Sequence, residues 1–186
     1  MIIVGFGSKA RQGKDSAAEA VVLHSQRKAA REREYYGEVK ATPTVRIYKF
    51  AEALYEECRR DYGMQEKDAP LLQRVGSERR AQDPEYWIKN VFKKIKTEKA
   101  GIAILTDVRY KNEARYVKEQ GGMLINVSRL NVDGSPFIAD DRPADHPSEI
   151  DLDEHNWDFY IRAHSGQQVL VGELAITIVE HIRGLL

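Results

Sequence analysis

Short apolar segments and amphipathic segments alternate along the chain. Strands are predicted where β-branched and aromatic side chains cluster, at residues 2–4, 45–50, 102–105, 123–127 and 157–161. Helices are predicted where apolar positions recur at helical spacing, over 17–34, 51–63 and 169–182 and from near Pro70, Pro84 and Arg109. Because the two kinds of segment alternate, the pattern predicts an α/β protein of three layers with about five parallel strands.

The first predicted strand leads through a loop of small and basic residues into a helix. Gly13 and Lys14 close this loop, and Lys9 and Arg11 add further positive charge. Glycine lets successive backbone N–H groups point at phosphate oxygens, and the helix N-terminus adds free N–H groups. A phosphate-binding loop is the favoured interpretation, with a solvated basic turn as the alternative from this stretch alone. The predicted phosphate contacts are Ser8, Lys9, Ala10, Arg11, Gln12, Gly13, Lys14, Asp15 and Ser16.

The loop departs from the strict pattern of Gly, four residues, Gly-Lys and Ser/Thr at two positions. Ser8 stands where the first glycine belongs, and Asp15 stands where the hydroxyl residue belongs, with Ser16 one position further on. Carboxylate and hydroxyl oxygens next to the loop lysine are suitable ligands for Mg²⁺. Asp15 and Ser16 are therefore predicted metal ligands.

A further carboxylate follows the predicted strand at residues 102–105. Asp107 lies just beyond this strand, where open α/β sheets bind ligands, so it is predicted to lie near the same magnesium ion. Capping of the following helix is the alternative role for this aspartate. Arg109, Asn112 and Glu113 follow at helical spacing and are predicted to face the same crevice.

Composition sets limits on the class of protein. The 186 residues are 42% hydrophobic and 31% charged, which suits a single globular domain over residues 1–186. With 29 basic and 29 acidic residues, the charge balance favours neither nucleic acid nor an anionic membrane surface as a partner. No apolar run is long enough to span a bilayer, and the N-terminus is unlike a signal peptide, so we expect a cytoplasmic protein. The single Cys58 excludes an intrachain disulfide.

Several segments together resemble one enzyme family. SKARQGKDSAAE looks like the P-loop of the phage-type deoxynucleoside monophosphate kinases, which carry Gly-Lys-Asp-Thr at this place. IYKFAEAL, LLQRVGSERRAQDPEYWIKN, LTDVRYKNEARYVKEQGGMLINVSR and HPSEIDLDEHNWDFYI are similar to further segments of that family, in the same order. These segments cover most of the chain, and the resemblance rests on their combination.

The resemblance implies a nucleoside monophosphate kinase-like fold, with a helical acceptor-binding region over about 51–98 and a lid over about 130–149. It implies transfer of the γ-phosphoryl group of ATP, with Mg²⁺, to the 5′-phosphate of a deoxynucleoside monophosphate, in the host cytoplasm if the protein is of phage origin. A homodimer is a possible oligomeric state, which the sequence leaves open. The implied phosphate clamps are Lys14, Arg11, Arg109, Arg129 and, in the lid, Arg142. The implied acceptor contacts are Arg74, Glu78, Trp87, Asp107, Arg109, Asn112, Glu113, His146, Ser148 and Glu149.

Alternatives remain for the function and for individual residues. Animal-type phosphomevalonate kinases share the Gly-Lys-Asp loop and the overall fold of this family. A P-loop module that binds ATP without transferring phosphate is a second alternative, although arginines at several strand ends favour a transferase. Trp87 suits a core position as well as base stacking, and residues 146–149 suit a helix or turn cap as well as substrate contact.

Overall fold

The computed structural model describes residues 1–140 and 143–185. Strands and helices alternate through most of this length, as the sequence pattern predicts. In chain order the elements are β1 (Ile2–Gly7), α1 (Lys14–Tyr36), β2 (Val45–Tyr48), α2 (Phe50–Tyr62), α3 (Ala69–Gln82), α4 (Tyr86–Glu98), β3 (Ile102–Val108), α5 (Lys111–Glu119), β4 (Met123–Leu130), α6 (Pro147–Ile150), β5 (Phe159–His164) and α7 (Gln168–Leu185).

The strands form one parallel sheet in the order β2-β3-β1-β4-β5. Side chains of α1 and α7 pack on one face of this sheet, and side chains of α4 and α5 pack on the other face. The predicted α/β fold of three layers with five parallel strands is therefore confirmed. β1 lies between β3 and β4, so the loop that follows it opens at the carboxyl edge between its two neighbours, where such sheets bind ligands.

The last strand begins later than the sequence predicts. It covers Phe159–His164 rather than residues 157–161. Trp157 is 6% exposed and packs closely on Gly7, since a Cβ atom on this glycine would lie 2.2 Å from the indole ring. The Asp158 carboxylate accepts a hydrogen bond of 2.7 Å from the Leu124 N–H, which fixes the entry to the strand. Aromatic residues are common in strands, so the sequence pattern included Trp157 in the strand, whereas in the structure this residue packs in the core before the strand begins.

Helices α2, α3 and α4 form a helical region with its own small core. Cys58, Leu72, Val75 and Trp87 are buried together in this core. Glu57 is also buried, and its carboxylate accepts hydrogen bonds from Arg79 Nε at 2.7 Å and from the Tyr86 hydroxyl at 2.8 Å. No helix within residues 1–140 and 143–185 is both long and apolar enough to cross a membrane.

Candidate active site

The loop between β1 and α1 is tightly curled. Ser8 has a φ of 150°, Arg11 a φ of 53° and Gly13 a φ of 99°, in the region of backbone space that favours glycine. The Ser8 hydroxyl donates a hydrogen bond to the Val127 carbonyl, which ties the loop to β4. The backbone at Ser8 thus explains why a glycine is the usual residue there, and the hydroxyl contact supports the serine in its place.

Lys14 lies inside this curl, at the first residue of α1. Its side chain is 6% exposed, and its ammonium donates hydrogen bonds to the carbonyls of Ser8, at 3.1 Å, and of Lys9. Burial, together with the positive charge of Arg109, lowers the pKa of Lys14 to about 7. An arriving anion would reverse this effect, so the lysine is well placed to bind phosphate.

Asp15 pairs with a lysine that the sequence analysis missed. Lys49, the residue before α2, places its ammonium 2.6 Å from the Asp15 carboxylate, and the Thr106 hydroxyl donates to the same carboxylate at 3.1 Å. Partial desolvation acts to raise the pKa of Asp15, but Lys49 and Thr106 outweigh it and hold the pKa below its usual value. Lys49 lies within the segment IYKFAEAL, but nothing in that segment gives the lysine a partner, because it is the pairing of β2 with β3 that brings it near the P-loop.

Asp107 caps a helix, but not the one that follows it. Its carboxylate accepts the backbone N–H groups of Phe50 and Ala51, both at 2.9 Å, in the first turn of α2. Burial raises the pKa of Asp107, and these two N–H groups oppose the rise. The side chain also lines the cavity at the P-loop, so the structural role and a role near phosphate are compatible.

Arg109 and Glu149 form a largely buried ion pair against the P-loop. Arg109 Nη1 lies 2.5 Å from Glu149 Oε1, and the Ala10 N–H donates to Glu149 Oε2 at 2.7 Å. The His146 ring caps α6, because its Nδ1 accepts the Ser148 N–H at 3.2 Å. The motif at residues 146–149 therefore contributes a helix cap and one carboxylate that contacts the loop.

Gln12 links the P-loop to the end of β4. Its Oε1 accepts the Arg129 N–H at 2.6 Å, and its Nε2 donates to the Phe137 carbonyl at 3.0 Å. The Arg129 guanidinium lies 4.1 Å from the centroid of the Phe137 ring, and its Nε donates to the Ser165 hydroxyl at 2.8 Å. Arg11 is more exposed and pairs with Asp140 at 2.9 Å. The contacts with Gln12, Phe137 and Ser165 hold Arg129 at the carboxyl edge beside the loop.

A first cavity of about 350 Å³ opens at this edge, between the P-loop, β3, β4 and the turn that precedes α7. Five basic side chains and two carboxylates line it, so its charge suits a polyanion. The turn adds polar groups from residues 164–168. The charged lining residues are Arg11, Lys14, Asp15, Lys49, Asp107, Arg109 and Arg129.

The other acceptor candidates lie away from this cavity. Arg74 and Glu78 form an exposed ion pair of 3.3 Å on α3, and Trp87 is 4% exposed within the helical core. Asn112 donates from its amide to the Pro84 carbonyl at 2.9 Å, away from the loop. None of these four residues is among those lining the first cavity. Arg142 lies outside the described residues.

Glu113 serves as a cap within its own turn. Its carboxylate accepts the N–H groups of Arg109, at 2.8 Å, and of Tyr110, at 3.1 Å, at the start of α5. Burial, reinforced by the negative charge of Asp107, raises the pKa of Glu113 to about 8. Through these two hydrogen bonds Glu113 orients the backbone that carries Arg109.

The oxygen-bearing side chains at the first cavity suit a magnesium ion that is also bound by substrate phosphates. Within the part of the chain that the structure describes, no group of three or more His, Cys, Asp or Glu side chains could hold a metal alone. Magnesium, however, usually takes one or two carboxylates together with water and substrate phosphate oxygens. Asp15, with its lowered pKa, and Asp107 both line the first cavity, and Ser16 lines it as well.

Comparison with known proteins gives a weak and partial similarity. No known family profile matches the chain. Over 49 residues the chain is 45% identical to a protein of Acanthamoeba polyphaga mimivirus that carries the provisional name deoxynucleotide monophosphate kinase. The matched stretch is 26% of this chain and 21% of that protein, so the chain spans about a fifth of its relative. This similarity is consistent with a nucleotide kinase and does not identify a substrate.

Proposed function

We propose that the protein transfers the γ-phosphoryl group of ATP to the 5′-phosphate of a deoxynucleoside monophosphate. The observation that carries this proposal is the convergence of Lys14, Lys49, Arg109 and Arg129 on the first cavity, from four different segments of the chain. A protein that only held ATP would need fewer cations than one that brings two phosphate anions together. The partial similarity to a named deoxynucleotide monophosphate kinase supports the same choice of substrate class.

The chemistry needs alignment and charge neutralisation rather than a covalent enzyme intermediate. An oxygen of the acceptor phosphate forms a bond to the γ-phosphorus, and the bond to the β–γ bridging oxygen breaks. The electron pair of the broken bond stays on the departing ADP. Lys14 and the loop N–H groups would hold the donor phosphates, while Arg109 and Arg129 would neutralise charge that spreads over the transferring group.

Magnesium, bound by Asp15 with help from Asp107 or Ser16, would neutralise donor phosphate oxygens. The Lys49 ammonium lies 2.6 Å from the Asp15 carboxylate and lines the first cavity, so it would help to neutralise a phosphate bound there. Thr106 would keep the carboxylate in place, since its hydroxyl already donates to Asp15. Lys49 is therefore part of the proposed machinery.

A coupled assay of ADP release tests the proposal. The assay contains ATP and Mg²⁺ with each of the four deoxynucleoside monophosphates, their ribose counterparts or phosphomevalonate. We expect release that depends on a deoxynucleotide, with formation of the matching diphosphate. In Lys14→Ala we expect the rate to fall by about 100-fold or more, whereas Lys94→Ala, a surface lysine on α4, should stay within about twofold.

The other outcomes separate the alternatives. Release with phosphomevalonate alone would move the protein to that class of kinase. Tight ATP binding without acceptor-dependent release would leave a nucleotide-binding module. Equal rates for wild type and Lys14→Ala would remove the P-loop from the mechanism.

A further inference from the structure

Gln12 is a polar side chain of the P-loop that the fold buries. It is only 5% exposed, although it lies in a loop between a strand and a helix. Burying an amide is costly unless both its oxygen and its NH₂ group find hydrogen-bond partners. The Arg129 N–H and the Phe137 carbonyl are these partners, and neither belongs to the P-loop. The Gln12 side chain therefore joins the loop to two other segments of the chain.

Gln12, Arg129 and Phe137 form a closed ring of hydrogen bonds. Gln12 Nε2 donates to the Phe137 carbonyl, the Phe137 N–H donates to the Arg129 carbonyl at 2.9 Å, and the Arg129 N–H donates back to Gln12 Oε1. Turning the amide over would set two acceptors together at Phe137 and two donors together at Arg129. The ring thus fixes the orientation of the amide, and loss of the amide would break two of its bonds.

The same ring holds the segment after β4 against the strand. Leu130 and Pro136 form an antiparallel bridge, so the chain turns back on itself directly after β4. This turn brings the Phe137 ring over Arg129, with the ring centroid 4.1 Å from the guanidinium. Because the lid implied by the resemblance begins in this segment, Gln12 connects the P-loop to the start of the lid.

The Arg129 side chain has a fixed stem and unoccupied ends. Its Nε donates to the Ser165 hydroxyl at 2.8 Å. Its two terminal nitrogens make no hydrogen bond to any residue in 1–140 or 143–185. Since Arg129 lines the first cavity, these nitrogens are available to phosphate oxygens there, which a guanidinium fork matches well.

Open space on two sides makes Arg129 depend on these hydrogen bonds. Arg129 and Gln12 line the first cavity and also a second cavity, which has a volume of about 620 Å³. A side chain between two cavities has fewer packing neighbours to fix it, so its hydrogen bonds decide where its charge lies. A displacement of about 1 Å near a reacting centre can lower a rate by about 100-fold.

Gln12 lies two residues before Lys14, in the loop that would hold the donor phosphates. Its backbone therefore belongs to the phosphate-binding loop, while its side chain holds Arg129. We propose that Gln12 is a positioning residue, whose amide fixes the Arg129 guanidinium relative to the phosphates bound by the P-loop. The inference rests on the proposed kinase function and deepens it, since Gln12 acts through Arg129 without touching the transferring group.

The variant Gln12→Met tests this role, because methionine has nearly the same length and lacks both hydrogen-bonding groups of the amide. We expect kcat for acceptor-dependent ADP release to fall about tenfold or more. The Kd of ATP, measured by calorimetry, should change by less than about threefold, because Lys14 and the loop N–H groups remain. Gln12→Ala should show the same separation of kcat from Kd. Gln26→Met, at an exposed glutamine on α1, is the matched control and should change both by less than about twofold.

A double-mutant cycle with Arg129→Ala separates positioning from a merely structural role. If Gln12 acts through Arg129, adding Gln12→Met to Arg129→Ala should change kcat by less than about twofold, although each single variant lowers it about tenfold or more. A residue that only stabilised the loop would lower kcat by the same factor in both backgrounds.

Other results overturn the assignment in distinct ways. If Gln12→Met and Gln12→Ala keep kcat within about twofold of a wild type that transfers phosphate, the positioning role fails and the kinase function stands. Equal losses of ATP affinity and of kcat would make Gln12 a support of the donor loop itself. Independent losses in the cycle would separate Gln12 from Arg129. If the wild type forms no diphosphate with any acceptor, the proposed function fails and the positioning role fails with it.

Discussion

The helical region α2–α4 and the carboxyl edge of the sheet are both rich in charge, but they use it differently. In the helical region, basic side chains are matched to carboxylates, with Arg79 on Glu57 at 2.7 Å and Lys94 on Glu56 at 3.0 Å. At the carboxyl edge, the buried Lys14 contacts backbone carbonyls. Lys49 and Arg109 also pair with carboxylates, but they line one cavity in which five basic side chains face only two carboxylates. Charge that is paired within the fold stabilises it, whereas cations gathered at a cavity suit an anionic ligand.

Matched arginine variants give the largest expected contrast between the two regions. In Arg109→Ala we expect kcat/KM for the kinase reaction to fall by about 100-fold or more, because the first cavity loses a cation that would neutralise the transferring group. In Arg79→Ala the buried Glu57 keeps only the Tyr86 hydroxyl, so the free energy of unfolding should fall by about 1–3 kcal/mol. Steady-state kinetics and urea unfolding of both variants measure the two effects. The contrast fails if folded Arg79→Ala loses activity or if Arg109→Ala retains it.

Two lysine variants test the same difference between the cavity and the helical region, and both replace partly exposed side chains, so they should disturb the fold less. Lys49→Ala should lower kcat about tenfold or more, because the first cavity loses an ammonium that would neutralise phosphate charge. Lys94→Ala on α4 removes an equally long, partly exposed cation and should leave kcat within about twofold. Initial rates at saturating ATP and acceptor measure the difference, and Lys49→Arg should restore part of it. Equal rates in Lys49→Ala and Lys94→Ala would show that Lys49 only anchors Asp15.

The pKa of Lys14 predicts a moderate pH effect on nucleotide binding. Because this pKa is lowered to about 7, the amine loses its proton as the pH rises from 7 to 8 in the free protein. A bound phosphate favours the charged form, so binding takes up a proton and should weaken about fivefold over this interval. Calorimetry in buffers of different ionisation enthalpy measures the proton uptake. Lys14→Gln should bind more weakly with a flatter profile, and an unchanged profile in that variant would assign the titration to another group.

Ser8 gives the smallest expected effect. Ser8→Gly relieves the backbone at a φ of 150° but loses the hydroxyl contact with Val127, so its free energy of unfolding should stay within about 1 kcal/mol of wild type. Ser8→Ala loses the contact and keeps the backbone strain, so it should be less stable than Ser8→Gly by about 1 kcal/mol. Urea unfolding of the two variants gives this difference directly. If Ser8→Ala is the more stable variant, the loop is not strained at this position.

Local pattern was enough to predict the elements that form the fold. The strand, basic loop and helix at residues 2–34 and the alternation of strands and helices are confirmed, because period and composition determine element type. The boundary of β5 was not predictable, since the packing of Trp157 on Gly7 joins segments far apart in the chain. A sequence pattern alone cannot report such a contact.

The site was predictable only where its residues lie in one segment. The loop from Ser8 to Ser16 is continuous, so its phosphate-binding pattern could be seen directly. Lys49 lies in a different segment and reaches Asp15 only through the order of the strands in the sheet.

Single-turnover transfer of label from γ-³²P-ATP tests the central claim most directly. The protein is mixed in excess with labelled ATP, Mg²⁺ and the deoxynucleoside monophosphate that gives the fastest ADP release, and the products are separated by chromatography. A kinase places the label on the deoxynucleoside diphosphate, and Lys14→Ala should leave it on ATP. Label released as inorganic phosphate, or label retained on ATP by the wild type with every acceptor, would contradict the account.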